Sequence, residues 1–156
     1  MASNWNKNNG GGKMGQKGEK VGQKRVIELP PETTSIVLPD NYVDLAEQNM
    51  RMLFKKTQKI TTTKIRNLLS LITDCYQMEN RRWEDTIASE SVTALMNLRV
   101  RLAYEYGRDY ATKDFIIQTK LLEYLSGIQN RREAFIRFFH YVEALVAYHR
   151  YLGGRE

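Results

Sequence analysis

The sequence predicts an all-α fold: a compact antiparallel bundle of about five helices behind a disordered basic tail. Three observations predict it. All three prolines, Pro30, Pro31 and Pro39, fall in residues 26–40, and the remaining 116 residues contain none. In that stretch glycine occurs only at Gly107, Gly127, Gly153 and Gly154. Apolar residues there recur at helical spacing, with no alternation of the kind a strand requires. The domain boundary is therefore set at residue 41, with 1–40 read as basic tail and proline-containing linker and 41–156 as the bundle.

Residues 1–25 hold six of the ten glycines and almost no apolar side chain. Such a segment cannot bury enough surface to offset the entropy lost on ordering. Residues 26–40 read as an extended linker whose short apolar run, Ile36-Val37-Leu38, lies against the domain. Asp40 is placed to cap a first helix over roughly 41–56, with Tyr42, Leu45, Ala46, Met52 and Leu53 on its inner face. The Thr61-Thr62-Thr63 run caps a second over 62–80, whose stripe is Ile65, Leu68, Leu69, Ile72, Cys75 and Tyr76. Residues 81–90 form a polar connector. Ser91 caps a third helix, with Val92, Leu95, Met96, Leu102, Ala103 and Tyr106 on one face, closed by Gly107. A fourth starts at Thr112 or Asp114 and ends near Gly127. Asn130 with Glu133 makes a capping pair for the fifth, which runs to Gly153-Gly154.

That fifth helix is apolar nearly all round. Phe138, Phe139, Val142, Leu145 and Val146 fall within about 80° of Phe135 at ~100° per residue. Tyr141, Tyr148, Tyr151, Ile136 and Ala147 occupy much of the remaining circumference. A helix of this kind is central in the bundle or shares its outer face with a partner.

Charge is unevenly placed. The net charge is +6, but residues 1–25 carry six basic side chains and one acid. Residues 26–156 are left with 18 basic and 17 acidic residues, so the body is nearly neutral. Any polyanion bound by the body must meet segregated charge rather than overall charge. From Lys55 to Arg66 there are five basic residues and no acid, with three threonines at a helix start. Backbone N–H groups, hydroxyls and cations together suit a phosphate backbone. The same stretch also reads as the solvated end of one helix and start of the next. A second cluster is Arg99, Arg101 and Arg108, whose members project on different sides of one helix and equally suit internal ion pairs. Arg131, Arg132 and Arg137 form a weaker third.

Catalytic signals are lacking. His140 and His149 are nine residues apart, where helical metal ligands stand three or four apart. His149 lies on the apolar stripe, the place of a buried, hydrogen-bonded residue. Cys75, the single cysteine, is read as a packed core thiol. No glycine loop follows a strand to cradle phosphates, and no nucleophile stands in a motif. The expectation is a non-enzyme with no cofactor and no metal site. No apolar run approaches the ~18 residues that span a bilayer, so a cytoplasmic protein without membrane contact is expected.

Three ordered blocks carry a resemblance. They are Thr61-Thr62-Thr63-Lys64-Ile65-Arg66-Asn67-Leu68-Leu69, then Leu98-Arg99-Val100-Arg101-Leu102-Ala103-Tyr104-Glu105-Tyr106-Gly107-Arg108, then Phe138-Phe139-His140-Tyr141-Val142-Glu143-Ala144-Leu145-Val146-Ala147-Tyr148-His149. Together, over about residues 55–154, the chain resembles the small helical subunit of type III-A CRISPR effector (Csm) complexes. The resemblance implies a five-helix protein without catalytic activity, stacked in several copies beside backbone subunits and holding guide RNA and target RNA. Its partners would be both RNAs, other copies of itself, and the backbone and large subunits of the complex. By position, the family's basic residues fall on Lys64, Arg66, Arg99, Arg101 and Arg108. Local charge adds Lys59. A protein-binding adaptor that docks through its aromatic C-terminal helix, without touching RNA, is the rival reading.

Overall fold

A computed structural model describes residues 30–57 and 59–156 of the chain. The expected disordered tail over 1–29 lies outside the described residues. Six helices are present: α1 (Tyr42–Phe54), α2 (Thr62–Glu79), α3 (Ser89–Arg108), α4 (Tyr110–Thr119), α5 (Leu121–Ser126) and α6 (Arg132–Tyr151). Among the described residues no strand forms, and the one β-type contact is an isolated bridge between Thr86 and Arg131. The all-α class is as expected.

α6 is the central element. Phe135, Phe138, Tyr141 and Leu145 have no exposed surface, and Phe139, Val142 and His149 are buried with them. Full burial of each large apolar side chain contributes about 1.5–3 kcal/mol. α1 and α2 supply the walls: Tyr76 of α2 stacks on Phe139 with ring centroids 3.9 Å apart. α2 runs antiparallel to α6, since Tyr76 meets Phe139 while Thr62 meets His149. Contacts between the α1 segment and α6 ascend together, from Asp40–Arg137 through Asn49–Tyr141 to Phe54–His149. Of the two positions open to an all-round apolar helix, α6 takes the inside one. Its aromatic rings are interior, and Tyr151 is the exposed exception at its C-terminal end.

The expected fourth helix is two helices. Lys120 adopts the left-handed region (φ 51°) and separates α4 from α5. The break coincides with diverted hydrogen bonds. The Thr119 hydroxyl turns back to the Phe115 carbonyl (2.7 Å), and the Thr119 carbonyl accepts the buried Tyr141 hydroxyl (2.8 Å). Asn49 of α1 donates to the same Tyr141 oxygen (3.0 Å), and Gln118 donates to Asn49 (3.1 Å). One polar chain thus ties α1, α4 and α6. Burial raises the Tyr141 phenol pKa, so it is a neutral donor at any physiological pH.

Several helix ends differ from expectation, and at Asp40, Ser91 and Arg132 a tertiary partner takes the place of the local cap. Asp40 does not cap α1: its carboxylate pairs with Arg137 at 3.0 Å, and Asn41 occupies the cap position without a side-chain bond. Thr61 does cap α2, accepting from the Lys64 N–H. Ser91 does not cap α3, which begins earlier, at Ser89. The buried Glu79 carboxylate of α2 accepts the Ala88 N–H (2.7 Å) and the Ser91 hydroxyl (2.6 Å) instead. Gly107 does not close α3, which continues to Arg108. Asn130 lies in the left-handed region, and the N–H of Arg132 at the start of α6 goes to the Asp85 carbonyl at 2.8 Å.

The compact unit begins at Glu32, ahead of the boundary set at residue 41. Leu38 is a core residue, and the Ile36 N–H donates to the Glu123 carbonyl at 3.1 Å. Gly127 permits this: a Cβ there would collide with the Ile36 carbonyl. His149 is buried between the Thr62 hydroxyl (2.9 Å) and the Ile60 carbonyl (2.8 Å), a structural role as its stripe position implied.

Tyr141→Phe deletes the donor to Thr119 and strands the Asn49 amide, and is expected to destabilise the domain by roughly 1–3 kcal/mol in urea melts. Burial also lowers the His149 pKa below its ordinary 6.5. The neutral form is then favoured by folding, so stability is level above about pH 6.5 and declines as pH falls below it. Replacing His149 with Gln should flatten that limb of the stability profile.

Candidate nucleic-acid interface

Antiparallel packing of α2 on α3 brings the start of α2, the end of α3 and the start of α4 to one end of the bundle. Asp109 sits at their junction. It closes α3, and its carboxylate caps α4 by accepting from the Thr112 N–H (3.0 Å) and hydroxyl. The same oxygen receives the Lys64 ammonium at 2.6 Å. Lys64 and Thr112 hold the Asp109 carboxyl down at about 2. The Thr61 cap therefore sets where α2 begins, and Asp109 sets where the Lys64 ammonium points.

One turn back along α3, Glu105 performs a similar role for two arginines. Arg101 reaches its Oε1 at 3.0 Å and Arg108 approaches the same atom at 3.9 Å. Both guanidiniums also lie near the Tyr104 ring, with centroid distances of 5.7 and 5.6 Å. Glu105 is 7% exposed, whereas its two partners are more than half exposed. A buried carboxylate thus carries two outward cations. Its second oxygen, Oε2, is buried without a hydrogen-bond partner among the described residues.

The six expected contact residues divide as follows. Lys64, Arg101 and Arg108 come together around the α3–α4 junction. Arg66, two residues along α2 from Lys64, is half-exposed and paired with Glu156 at 3.4 Å. Lys59 stands before α2 with its ammonium 5.0 Å from the Phe54 ring centroid. Arg99 is set apart: it is exposed on the other flank of α3, beside a groove formed with residues 125–130. Lys113, in the first turn of α4 with its ammonium 5.1 Å from the Tyr106 ring, adds a cation that sequence reading missed. Lys56 joins from the end of α1, paired with Asp114 at 3.3 Å. Lys113 stands singly in the sequence pattern of α4, and only the packing of α4 at this end reveals it; Lys56 belongs to the basic run from Lys55 to Arg66, and packing supplies its partner.

A family model described as Csm2 Type III-A matches residues 39–155, which take in every helix and all six of these residues. The chain belongs to the Csm2 Type III-A family. Relatives agree across nearly their whole length. The CRISPR system Cms protein Csm2 of Streptococcus thermophilus is 38% identical over 125 residues, covering 78% of this chain and 99% of that protein. Its namesake in Mycobacterium tuberculosis (strain H37Rv) is 38% identical over 122 residues, 77% of this chain and 98% of the other. The namesake in Enterococcus italicus is 34% identical over 135 residues, 80% and 96% of the two. The resemblance carried by the three sequence blocks thus identifies the family.

Among the described residues, no group of three or more His, Cys, Asp or Glu side chains is placed to hold a metal ion. No helix among them is long and apolar enough to cross a membrane.

The Lys64–Asp109 pair is testable by itself. Lys64→Met should raise the Asp109 pKa from about 2 towards 3.8, as read by carboxyl NMR titration, while the Thr112 bonds retain part of the depression. The pair is partly exposed, so its loss should change stability by about 1 kcal/mol or less. The stability it adds is present above pH 3.8 and disappears as pH falls through about 2.

Proposed function

We propose that this chain is a non-catalytic RNA-binding subunit of a type III-A CRISPR ribonucleoprotein. Several copies stack along the guide RNA–target RNA duplex in the cytoplasm, beside the backbone and large subunits. Family membership supports the place in the complex. The observation that carries RNA contact is the cationic end of the bundle, where Lys64, Arg101 and Arg108 are held outward by Asp109 and Glu105.

That arrangement suits a phosphate backbone. Cations mounted on partly or fully buried carboxylates lose less side-chain freedom on binding than free surface lysines do. Arg101 and Arg108 retain exposed guanidinium faces that can engage phosphate oxygens while Glu105 keeps them in position. Arg66 projects from another side of α2, beside Glu156, and would meet the duplex separately, while Lys56 and Lys113 border the Lys64 end and Lys59 precedes it. Arg99, on the far flank of α3, would reach the duplex from the other side of that helix. Contacts of this type recognise backbone and helical shape, and leave sequence reading to guide–target pairing. The body is nearly neutral, so long-range attraction by a single copy is weak. Repetition along one duplex then supplies the affinity.

The test uses the assembled complex carrying Arg101→Gln and Arg108→Gln. Glutamine removes the charge but keeps a donor for Glu105, so the buried carboxylate is not abandoned. Target-RNA affinity should fall equally for guides of unrelated sequence. The slope of log affinity against log salt should become shallower by about 1–2 per modified copy in contact. Unchanged affinity and slope would contradict the assignment. The adaptor reading would in that case take its place.

A further inference from the structure

Beyond α6, residues 152–156 turn back as a strap across the start of α2. Gly153, with a φ of 85°, supplies the reversal. Gly154 then passes so close to His149 that a Cβ there would collide with the imidazole. Its N–H donates to the His149 carbonyl (2.8 Å), and its carbonyl accepts from the Arg150 guanidinium (3.2 Å). The Arg155 carbonyl accepts the Thr62 N–H in the first turn of α2 (2.8 Å). With Gly154 and Arg155 fastened, Glu156 is delivered to a defined place, because Arg66 stands one turn along α2 from Thr62. The carboxylate divides its oxygens between two arginines. Oε1 meets Arg150 at 2.9 Å and Oε2 meets Arg66 at 3.4 Å.

This acid is placed differently from those at the cationic end. Asp109 and Glu105 are each less exposed than the cations they hold, so the cation is the outer partner. The Glu156 side chain is 56% exposed against 55% for Arg66, and it stands level with the guanidinium. It therefore occupies water that a phosphate approaching Arg66 would need. Carboxylate and phosphate oxygens use the same N–H fork of an arginine, and the two exclude one another there. An exposed pair of this length is weakly held. Arg150 gives the carboxylate a second post on the strap when Arg66 is taken.

We infer that Glu156 is an intramolecular stand-in for phosphate, occupying Arg66 until RNA displaces it. The inference rests on the reading of Arg66 as an RNA contact and adds the group that competes for it. Lys64, two residues away, points to Asp109 on another side of α2 and is not covered by the strap. A polyanion that reaches Arg66 alone exchanges one anion for another and gains little. One that also engages Lys64, Arg101 and Arg108 carries the exchange with it. The strap thus discounts isolated contacts and favours a backbone laid along the whole surface.

The experiment measures target-RNA affinity of the assembled complex carrying Glu156→Gln, Arg66→Gln or both. Glu156→Gln should tighten binding by about two- to fivefold per copy in contact. The slope of log affinity against log salt should steepen by up to about 1 per copy. Arg66→Gln should weaken binding more when Glu156 is already Gln than in the unaltered chain, and Glu156→Gln should bring no gain once Arg66 is Gln. Weaker binding by Glu156→Gln would make Glu156 a support like Asp109 and overturn the inference. An equal gain with and without Arg66 would mark general repulsion and overturn it too. Arg66→Gln silent in both backgrounds, while Arg101→Gln with Arg108→Gln weakens binding, would overturn the inference and leave the RNA reading standing. No effect from any of these variants would overturn both.

Discussion

Enclosing α6 is the constraint from which the remaining architecture follows. A helix carrying Phe135, Phe138, Phe139, Tyr141, Val142, Leu145 and His149 towards its neighbours cannot lie on a surface without exposing a large apolar area. α1 and α2 cover it, and the two polar side chains that accompany it inward are both satisfied. Tyr141 bonds Thr119 and Asn49, and His149 bonds Ile60 and Thr62. Those bonds in turn determine where neighbouring elements stop. Thr119 ends α4, and Thr62 begins α2. With α1, α2 and α6 committed to the interior, α3 keeps an open outer face, on which Met96, Val100 and Tyr104 are all more than half exposed.

The placement of charge follows from that geometry. Because α2 and α3 run antiparallel beside the core, the beginning of one and the end of the other share an end of the bundle. Cations from separate sequence blocks converge there. A nearly neutral body can still present a cationic surface if its acids sit beneath its bases. Asp109 and Glu105 do so, each more buried than the cations it holds. The ion pairs themselves add little stability. Their effect is positional: they restrict the orientation of groups that would otherwise sample many rotamers. The opposite end uses the same device inwardly, where Glu79 replaces a local helix cap and fixes the connector.

Most of the fold was legible because the information was local. The absence of proline after residue 40, the Thr61 cap and the stripes of α2 and α6 are read within one or two turns of helix. What was not legible depended on distant partners. Ser91 looks like a cap until Glu79, twelve residues earlier, takes its hydroxyl. The single helix expected over residues 112–127 breaks at Lys120, beside carbonyls engaged by Tyr141 and the Thr119 side chain, and no breaker residue announces it. Gly107 resembles a helix stop but lies within α3, with open space around it. The site divides in the same way. Basic blocks at Lys64–Arg66 and Arg99–Arg108 are visible in sequence, and so is Glu105, one turn from Arg101 and Arg108, but the distant partners of Lys64 and Arg66, Asp109 and Glu156, are not. Neither is the separation of Arg99 from Arg101, nor the convergence of Lys56 and Lys113.

The central claim is that RNA meets this chain at the junction of α2, α3 and α4. Chemical footprinting of lysines and arginines in the assembled particle, with and without target RNA, addresses it most directly. The account predicts protection of Lys64, Arg66, Arg101 and Arg108 when RNA is loaded, with Arg81 and Lys120 unchanged. Protection confined to Arg81, Arg131 and Arg132, or identical labelling in both states, would contradict it.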